Sequence, residues 1–281
     1  MVIEKLLLAT DFSQPAMHLL DCLPELKAVG LKEVVLLHVI DRQNPAKEAS
    51  YIEITAQEIL DGLKAKCDSM GLLCRPIVAR GIPSAEIAAA ASRENGQLIL
   101  ISPHSKGKIK EFLLGSTTAE VLRLSPVPVL INKAYPVDPL TGQEQCFRIF
   151  QKVLIPLDFS PHSLAMLGQV QDLAALIQEV ILLNVVEGDF DTEELIRTVE
   201  NRQILITSRK NELDRLGLKV RTMVHQGPAG ADILAVAEKE DVTLIMLATR
   251  GEGMVKEFLL GSTANEVTRQ SKRPVLIFPE H

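Results

Sequence analysis

The sequence predicts an α/β protein built from two tandem, doubly wound parallel-sheet domains of Rossmann-like architecture. Three observations predict it. The octapeptide Lys110-Glu-Phe-Leu-Leu-Gly-Ser-Thr117 recurs unchanged as Lys256–Thr263, an offset of 146 residues (256 − 110). Short, β-branched apolar runs alternate with longer amphipathic stretches, the pattern of strands joined by helices. The apolar runs are continuous, as expected of strands covered on both faces.

The same offset joins Gly81 to Gly227, Val121 to Val267, Arg123 to Arg269 and Pro128–Ile131 to Pro274–Ile277. Nearer the start it becomes 147, where Lys5-Leu-Leu-Leu-Ala-Thr-Asp-Phe-Ser13 matches Lys152-Val-Leu-Ile-Pro-Leu-Asp-Phe-Ser160. The chain therefore divides into a first domain, 1–134, a linker, 135–149, and a second domain, 150–281. The proline, glycine and polar content from Ala134 to Gln145 suits a linker.

In the first copy, Leu6–Ala9 reads as a strand ending at Thr10-Asp-Phe-Ser13, where Asp11 or Ser13 can cap a helix through Ala16–Val29. Val34–Ile40 is a second strand. Ala49–Met70 carries apolar residues at helical spacing (Ile52, Ala56, Ile59, Leu63) and reads as a helix closed by Gly71. Pro76–Ala79 is the third strand, Ser84–Glu94 a helix, Leu98–Ser102 the fourth strand, Gly115–Leu124 a helix and Val127–Asn132 the fifth strand. Right-handed crossovers fold this order into a sheet with helices on both faces.

Composition narrows the function. A net charge of −6 argues against a protein wrapped along nucleic acid or lying on an anionic membrane, both of which need a positive field. Apolar runs stop well short of the ~18 residues that span a bilayer. The acidic residue near the start makes the first residues read as a strand and not a signal peptide, so the cytoplasm is expected. Cys22, Cys67, Cys74 and Cys146 are widely spaced without a CxxC pair, which disfavours zinc, a redox motif or a disulfide framework.

In an open α/β sheet a ligand sits beyond the carboxyl ends of the strands, where the strand order reverses. In the second copy this selects Pro156-Leu157-Asp158, Asn184–Val186, Gly227–Ala229 and Ala248-Thr-Arg-Gly251. The last runs through Gly253 to Gly261-Ser262-Thr263 at a helix start. There the unpaired amides, the helix dipole and the two hydroxyls can cradle phosphate oxygens, with Arg250 as charge partner. His38, His104 and His225 are not repeated as histidine in the other copy and receive no catalytic or metal role. Lys110 and Lys256 read as solvated lysines, and Phe112–Leu114 as packing residues.

In these residues the chain resembles the universal stress protein family. Its nucleotide-binding branch carries Gly-x2-Gly-x9-Gly-Ser/Thr between the fourth strand and the next helix. The second copy reads Ala248-x2-Gly251-x9-Gly261-Ser262, and the first reads Ser102-x2-Ser105-x9-Gly115-Ser116. If the early positions need positive φ, serine is disfavoured there, so binding is expected mainly in the C-terminal copy. The resemblance implies an adenine nucleotide alpha hydrolase-like fold holding ATP or AMP, with or without Mg2+. It places Asp158 and the backbone of Val185 at the nucleoside end, with Asp11 and Val39 in the matching places of the first copy.

The resemblance also implies pairing of the two domains through their fifth strands, with further homodimerisation left open. An edge exposing such apolar strands tends to be paired. No placed general base with metal carboxylates is evident, so efficient phosphoryl transfer is not expected; slow ATP hydrolysis or self-phosphorylation is the most the resemblance leaves open. The alternative is a nucleotide-free interaction protein. An ATP pyrophosphatase-like enzyme would need a Ser-Gly-Gly-x-Asp-Ser loop after the first strand, which neither copy has.

Overall fold

The computed structural model describes residues 3–42, 46–103, 114–133, 149–249 and 260–279. Residues 2–147 and 148–280 form two compact units. Of the linker expected at 135–149, all but Ile149 lies outside the described residues.

The first unit runs β1 (Lys5–Ala9), α1 (Gln14–Met17), α2 (Leu23–Lys27), β2 (Glu33–Asp41), α3 (Ala46–Ser69), β3 (Leu73–Gly81), α4 (Pro83–Arg93), β4 (Leu98–Ile101), α5 (Ser116–Leu124) and β5 (Val129–Ile131). Its strands are parallel and ordered β3-β2-β1-β4-β5. The second unit repeats this with β6 (Lys152–Pro156), α6 (Pro161–Val170), β7 (Glu179–Val186), α7 (Thr192–Asp214), β8 (Lys219–Gln226), α8 (Ala229–Lys239), β9 (Leu244–Ala248), α9 (Ser262–Gln270) and β10 (Val275–Phe278), in the order β8-β7-β6-β9-β10. The order reverses between β1 and β4, and between β6 and β9. Each sheet is thus doubly wound, with its crevice where the reversal predicts it.

Central strands such as Leu6–Leu8, Val34–Leu36, Val153–Ile155 and Val180–Leu182 are fully buried, consistent with sheets covered on both faces. Two expectations change in detail. The helix expected over 16–29 is α1, a 3-10 turn at His18–Cys22, and α2, with Pro24 in the first turn of α2. Proline lacks the amide a continuous helix would need there. The third strand spans Leu73–Gly81 and includes Pro76, which is tolerated because β3 is at the sheet edge and pairs with β2 alone.

The long helices cover their sheets with one stripe each. In α3 the stripe is apolar throughout: Ala56, Leu60, Leu63 and Cys67 are buried, while Ile59 is half-buried. In α7 only Ile206 and Leu213 are buried. One turn before Ile206, the stripe carries Arg202 and then Thr198.

At the amino edge of the sheets, away from the crevice, both units carry a cluster of ion pairs at matching positions. Lys5 meets Glu33 at 2.8 Å, and Arg75 meets Glu94 at 2.6 Å. In the second unit Arg221 bridges Glu179 at 2.7 Å and Glu240 at 2.5 Å, with Lys219 also on Glu179 at 2.8 Å. Lys219 and Arg221 hold the Glu179 carboxyl below its ordinary range, and Arg221 does the same to Glu240.

Candidate functional site

The turn after β6 builds the floor of the second unit's crevice. Asp158 accepts the Ser160 amide through Oδ1 at 3.0 Å, and Ser160 Oγ accepts the Ser163 amide at 3.2 Å, capping α6. Between them Phe159 is held at φ 65, a conformation a bulky side chain rarely adopts and which costs roughly 1–3 kcal/mol. From β7, Asn184 Nδ2 donates to the Leu157 carbonyl at 2.6 Å and clamps the turn to the neighbouring strand. The first unit makes the same turn with Phe12 at φ 60. There His38 takes the clamping role, its Nδ1 donating to the Thr10 carbonyl at 2.9 Å while its ring stacks on Phe12 at 4.1 Å. His38 is thus a structural residue.

Above the turn in the second unit lies a cavity of about 450 Å3. Asp158 and Val185 line it at the ends of β6 and β7, Ala248 at the end of β9, and Gly261, Ser262 and Thr263 at the start of α9. Pro156 and Leu157 complete this set. Among the described residues no side chain caps the start of α9, where Gly261 occupies the cap position and its own amide donates to the Thr249 carbonyl at 2.8 Å. By contrast, the start of α8 is already filled, because Glu187 Oε1 accepts the Ala229 amide at 2.7 Å. Among the described residues a carboxylate thus sits at the start of α8 and none at the start of α9, which suits the latter to a ligand anion.

Asn184 carries the other unmet demand. Its side chain lines the cavity and the residue is 2% exposed. With Nδ2 committed to Leu157, Oδ1 is a buried acceptor without a hydrogen-bond partner among the described residues. A buried acceptor left unmet costs about 1–3 kcal/mol, and Asn184 is one of the residues that border the cavity.

Arg250 and Gly251 lie outside the described residues, as does Ser105. Ala248 is the last residue of β9, paired with Phe278, and has no left-handed φ; Ser102 has none either. The positive φ considered for the first position of the glycine motif is therefore not used in either copy, and Ala248 differs from glycine only by a methyl group facing the cavity. In the first unit Asp11, Val39 and Gly115 line a smaller cavity of about 270 Å3 together with Asp41, Ser102, Thr117 and Thr118. Ser116 is not part of that lining.

The lining also includes residues that were not among the candidates read from the sequence, among them Glu187, Phe190, Thr198 and Arg202. Phe190 folds over Gly188, whose φ of 129 allows the approach; a Cβ there would meet the ring at 3.1 Å. Arg202 lies over the Phe159 ring, 5.4 Å from its centroid. A signal for Arg202 did exist, since it interrupts the inner stripe of α7 where the repeat puts Ala56 in α3.

A model of the universal stress protein family matches residues 3–133 and again 149–279. A universal stress protein of Methanocaldococcus jannaschii is 29% identical over 153 residues, covering 46% of this chain and 94% of the relative. The crystal structure of a universal stress protein from Archaeoglobus fulgidus DSM 4304 is 27% identical and covers 98% of this chain and 96% of its own, with a TM-score of 0.75. A putative universal stress protein structure from Pseudomonas aeruginosa UCBPP-PA14, at 19% identity, covers 99% and 93% with a TM-score of 0.67, a likeness of fold alone.

Proposed function

This chain belongs to the universal stress protein family as a tandem two-domain member, and on that premise we propose that it is an adenine nucleotide-binding stress protein whose working pocket is the C-terminal cavity. The observation that carries the proposal is the unmet pair of polar groups in that cavity. A buried acceptor at Asn184 calls for a donor such as an adenine amine or a ribose hydroxyl. An uncapped start of α9 calls for an anion. A nucleotide supplies both in one molecule, and the cavity volume is within the ~300–1,000 Å3 usual for small-ligand sites.

In this reading Asp158, Asn184 and the Val185 backbone hold the nucleoside, while Gly261, Ser262 and Thr263 hold the phosphates of ATP or AMP, with Arg250 and Gly251 beside them and Mg2+ as an optional companion. In the first domain Asp11, Val39, Ser105, Gly115 and Ser116 form the degenerate counterpart. The protein acts by binding, with at most slow hydrolysis or self-phosphorylation. Pairing of its domains through β5 and β10, a further homodimer and a cytoplasmic location belong to the same proposal. Among the described residues no helix is long and apolar enough to cross a membrane.

Calorimetric titration of nucleotide-stripped protein with ATP and magnesium tests this, beside Gly261→Asp and Gly115→Asp. The expected outcome is one site per chain, weakened at least about 100-fold by the carboxylate at 261 and unchanged by that at 115. Two sites would restore the first domain to nucleotide binding. No binding would favour the nucleotide-free interaction protein.

A further inference from the structure

The long helix of each domain covers the sheet with one inner stripe, and two buried positions of the α3 stripe, Ala56 and Leu63, become Arg202 and Arg209 in α7, where Arg209 pairs with Glu212. In α3 the stripe stays apolar through Ala56, which is 2% exposed. In α7 the corresponding position, 146 residues on, is Arg202, and with Thr198 one turn earlier it lines the C-terminal cavity. None of the described residues of α3 lines the N-terminal cavity.

A second exchange accompanies the first. In the N-terminal domain the ring of Phe12 is covered by His38; in the C-terminal domain Asn184 stands at that strand position and leaves the ring of Phe159 to Arg202. The guanidinium therefore rests on an aromatic face at the rim of the cavity. Among the described residues it pairs with no carboxylate, and it is the one cationic side chain lining that cavity. The two lining carboxylates are engaged by backbone amides, Asp158 with Ser160 and Glu187 with Ala229. A guanidinium held on a ring, with its N–H edge uncommitted, is preorganised to take an oxyanion.

We infer that Arg202 is a charge-selecting residue, which makes the C-terminal cavity prefer the phosphate-bearing ligand over the free nucleoside. This rests on the nucleotide-binding reading above. The helix start of α9 and Arg202 come from opposite layers of the domain, since α8 packs with α9 and α7 follows β7 on the other face. Both line the same cavity, so a phosphate chain running from the α9 start toward the Phe159 ring would meet donors from two sides. The N-terminal domain, with Ala56 in this place, lacks the second side.

The test is titration of the full chain and of Arg202→Ala and Arg202→Lys with ATP, AMP and adenosine at fixed salt. The expected result is a loss of about tenfold or more for ATP in the alanine variant, a change under about twofold for adenosine, and partial recovery with lysine. A lowered salt dependence of ATP binding in the alanine variant is expected alongside. Equal losses for ATP and adenosine would overturn the inference, leaving Arg202 as a brace for Phe159, and so would an alanine variant that binds all three ligands like the parent. Both outcomes leave the nucleotide-binding reading standing; a parent chain that binds none of the three would overturn both.

Discussion

The two domains of this protein agree where their strands begin and part where their strands end. At the amino edge, Lys5, Glu33, Arg75 and Glu94 recur as Lys152, Glu179, Arg221 and Glu240, and the arginine pair with the second glutamate is kept, while Glu33 is held by Lys5 and Glu179 by Arg221 and Lys219. At the carboxyl edge, the same Asp-Phe-Ser turn is clamped by His38 in one domain and Asn184 in the other, and the long helix overhangs it with Ala56 in one and Arg202 in the other. The difference teaches that a duplicated scaffold keeps the contacts that hold the sheet and diverges where ligand chemistry is decided. A clamp needs only a donor at one strand position, so histidine and asparagine both serve. Histidine brings a ring nitrogen as its second polar atom and asparagine an amide oxygen, and Asn184 borders the cavity.

The comparison can be strained first through the helices. Ile206 and Leu60 occupy matching, fully buried positions in α7 and α3. Truncating either to alanine should cost about 2–5 kcal/mol. Because α7 has only Ile206 and Leu213 buried, Ile206→Ala should fall at the upper end and Leu60→Ala at the lower, as read from urea unfolding of each variant. Equal losses would mean that the two stripes support their sheets alike.

The clamp is the next place to press. Asn184→His copies the first domain into the second, retaining the donor to Leu157 and replacing the amide oxygen with a ring nitrogen. Because the imidazole offers Nε2 in another direction in place of the amide oxygen, the variant should weaken ATP about tenfold while leaving the melting temperature within a few degrees of the parent. Undiminished binding would show that the acceptor contributes nothing to the pocket. The helix caps make a smaller test: Ser160→Ala and Ser13→Ala should each cost about 1 kcal/mol. Ser160 should cost the more, since its Oγ accepts at 3.2 Å and lies 3.3 Å from Ser163 Oγ, whereas Ser13 accepts at 3.4 Å.

The smallest expected effect is at the shared amino edge. Glu179 and Glu240 are held below the ordinary 4.5 of glutamate, so their stabilising contribution is complete at neutral pH and is lost as the pH falls below about that value. Arg221→Met should let both carboxyls titrate closer to 4.5, moving acid unfolding to higher pH while costing less than about 1 kcal/mol at pH 7. An unmoved acid transition would place the pH sensitivity elsewhere.

Much of this architecture is readable along the chain, because the information is local and repeated. The octapeptide duplicated at Lys110 and Lys256, the continuous apolar runs and the Asp-Phe-Ser turns declare two parallel α/β units, and Gly261-Ser262-Thr263 declares a helix start facing the crevice. Periodicity and turn chemistry act over a few residues, so they leave their mark in order. Three features did not. Phe159 and Phe12 take a left-handed φ that their identity disfavours, because the Asp and Ser on either side bond across them. Glu187 fills the start of α8 from 42 residues away, while no side chain among the described residues caps the start of α9. Arg202 reaches the cavity because α7 packs on β7 and β8 and brings its inner stripe to the crevice. The sequence by itself determined the repeat, the fold class and the crevice. Tertiary structure decided which polar groups in that crevice are already satisfied and which are still open, since satisfaction depends on partners that distant elements bring into hydrogen-bonding range.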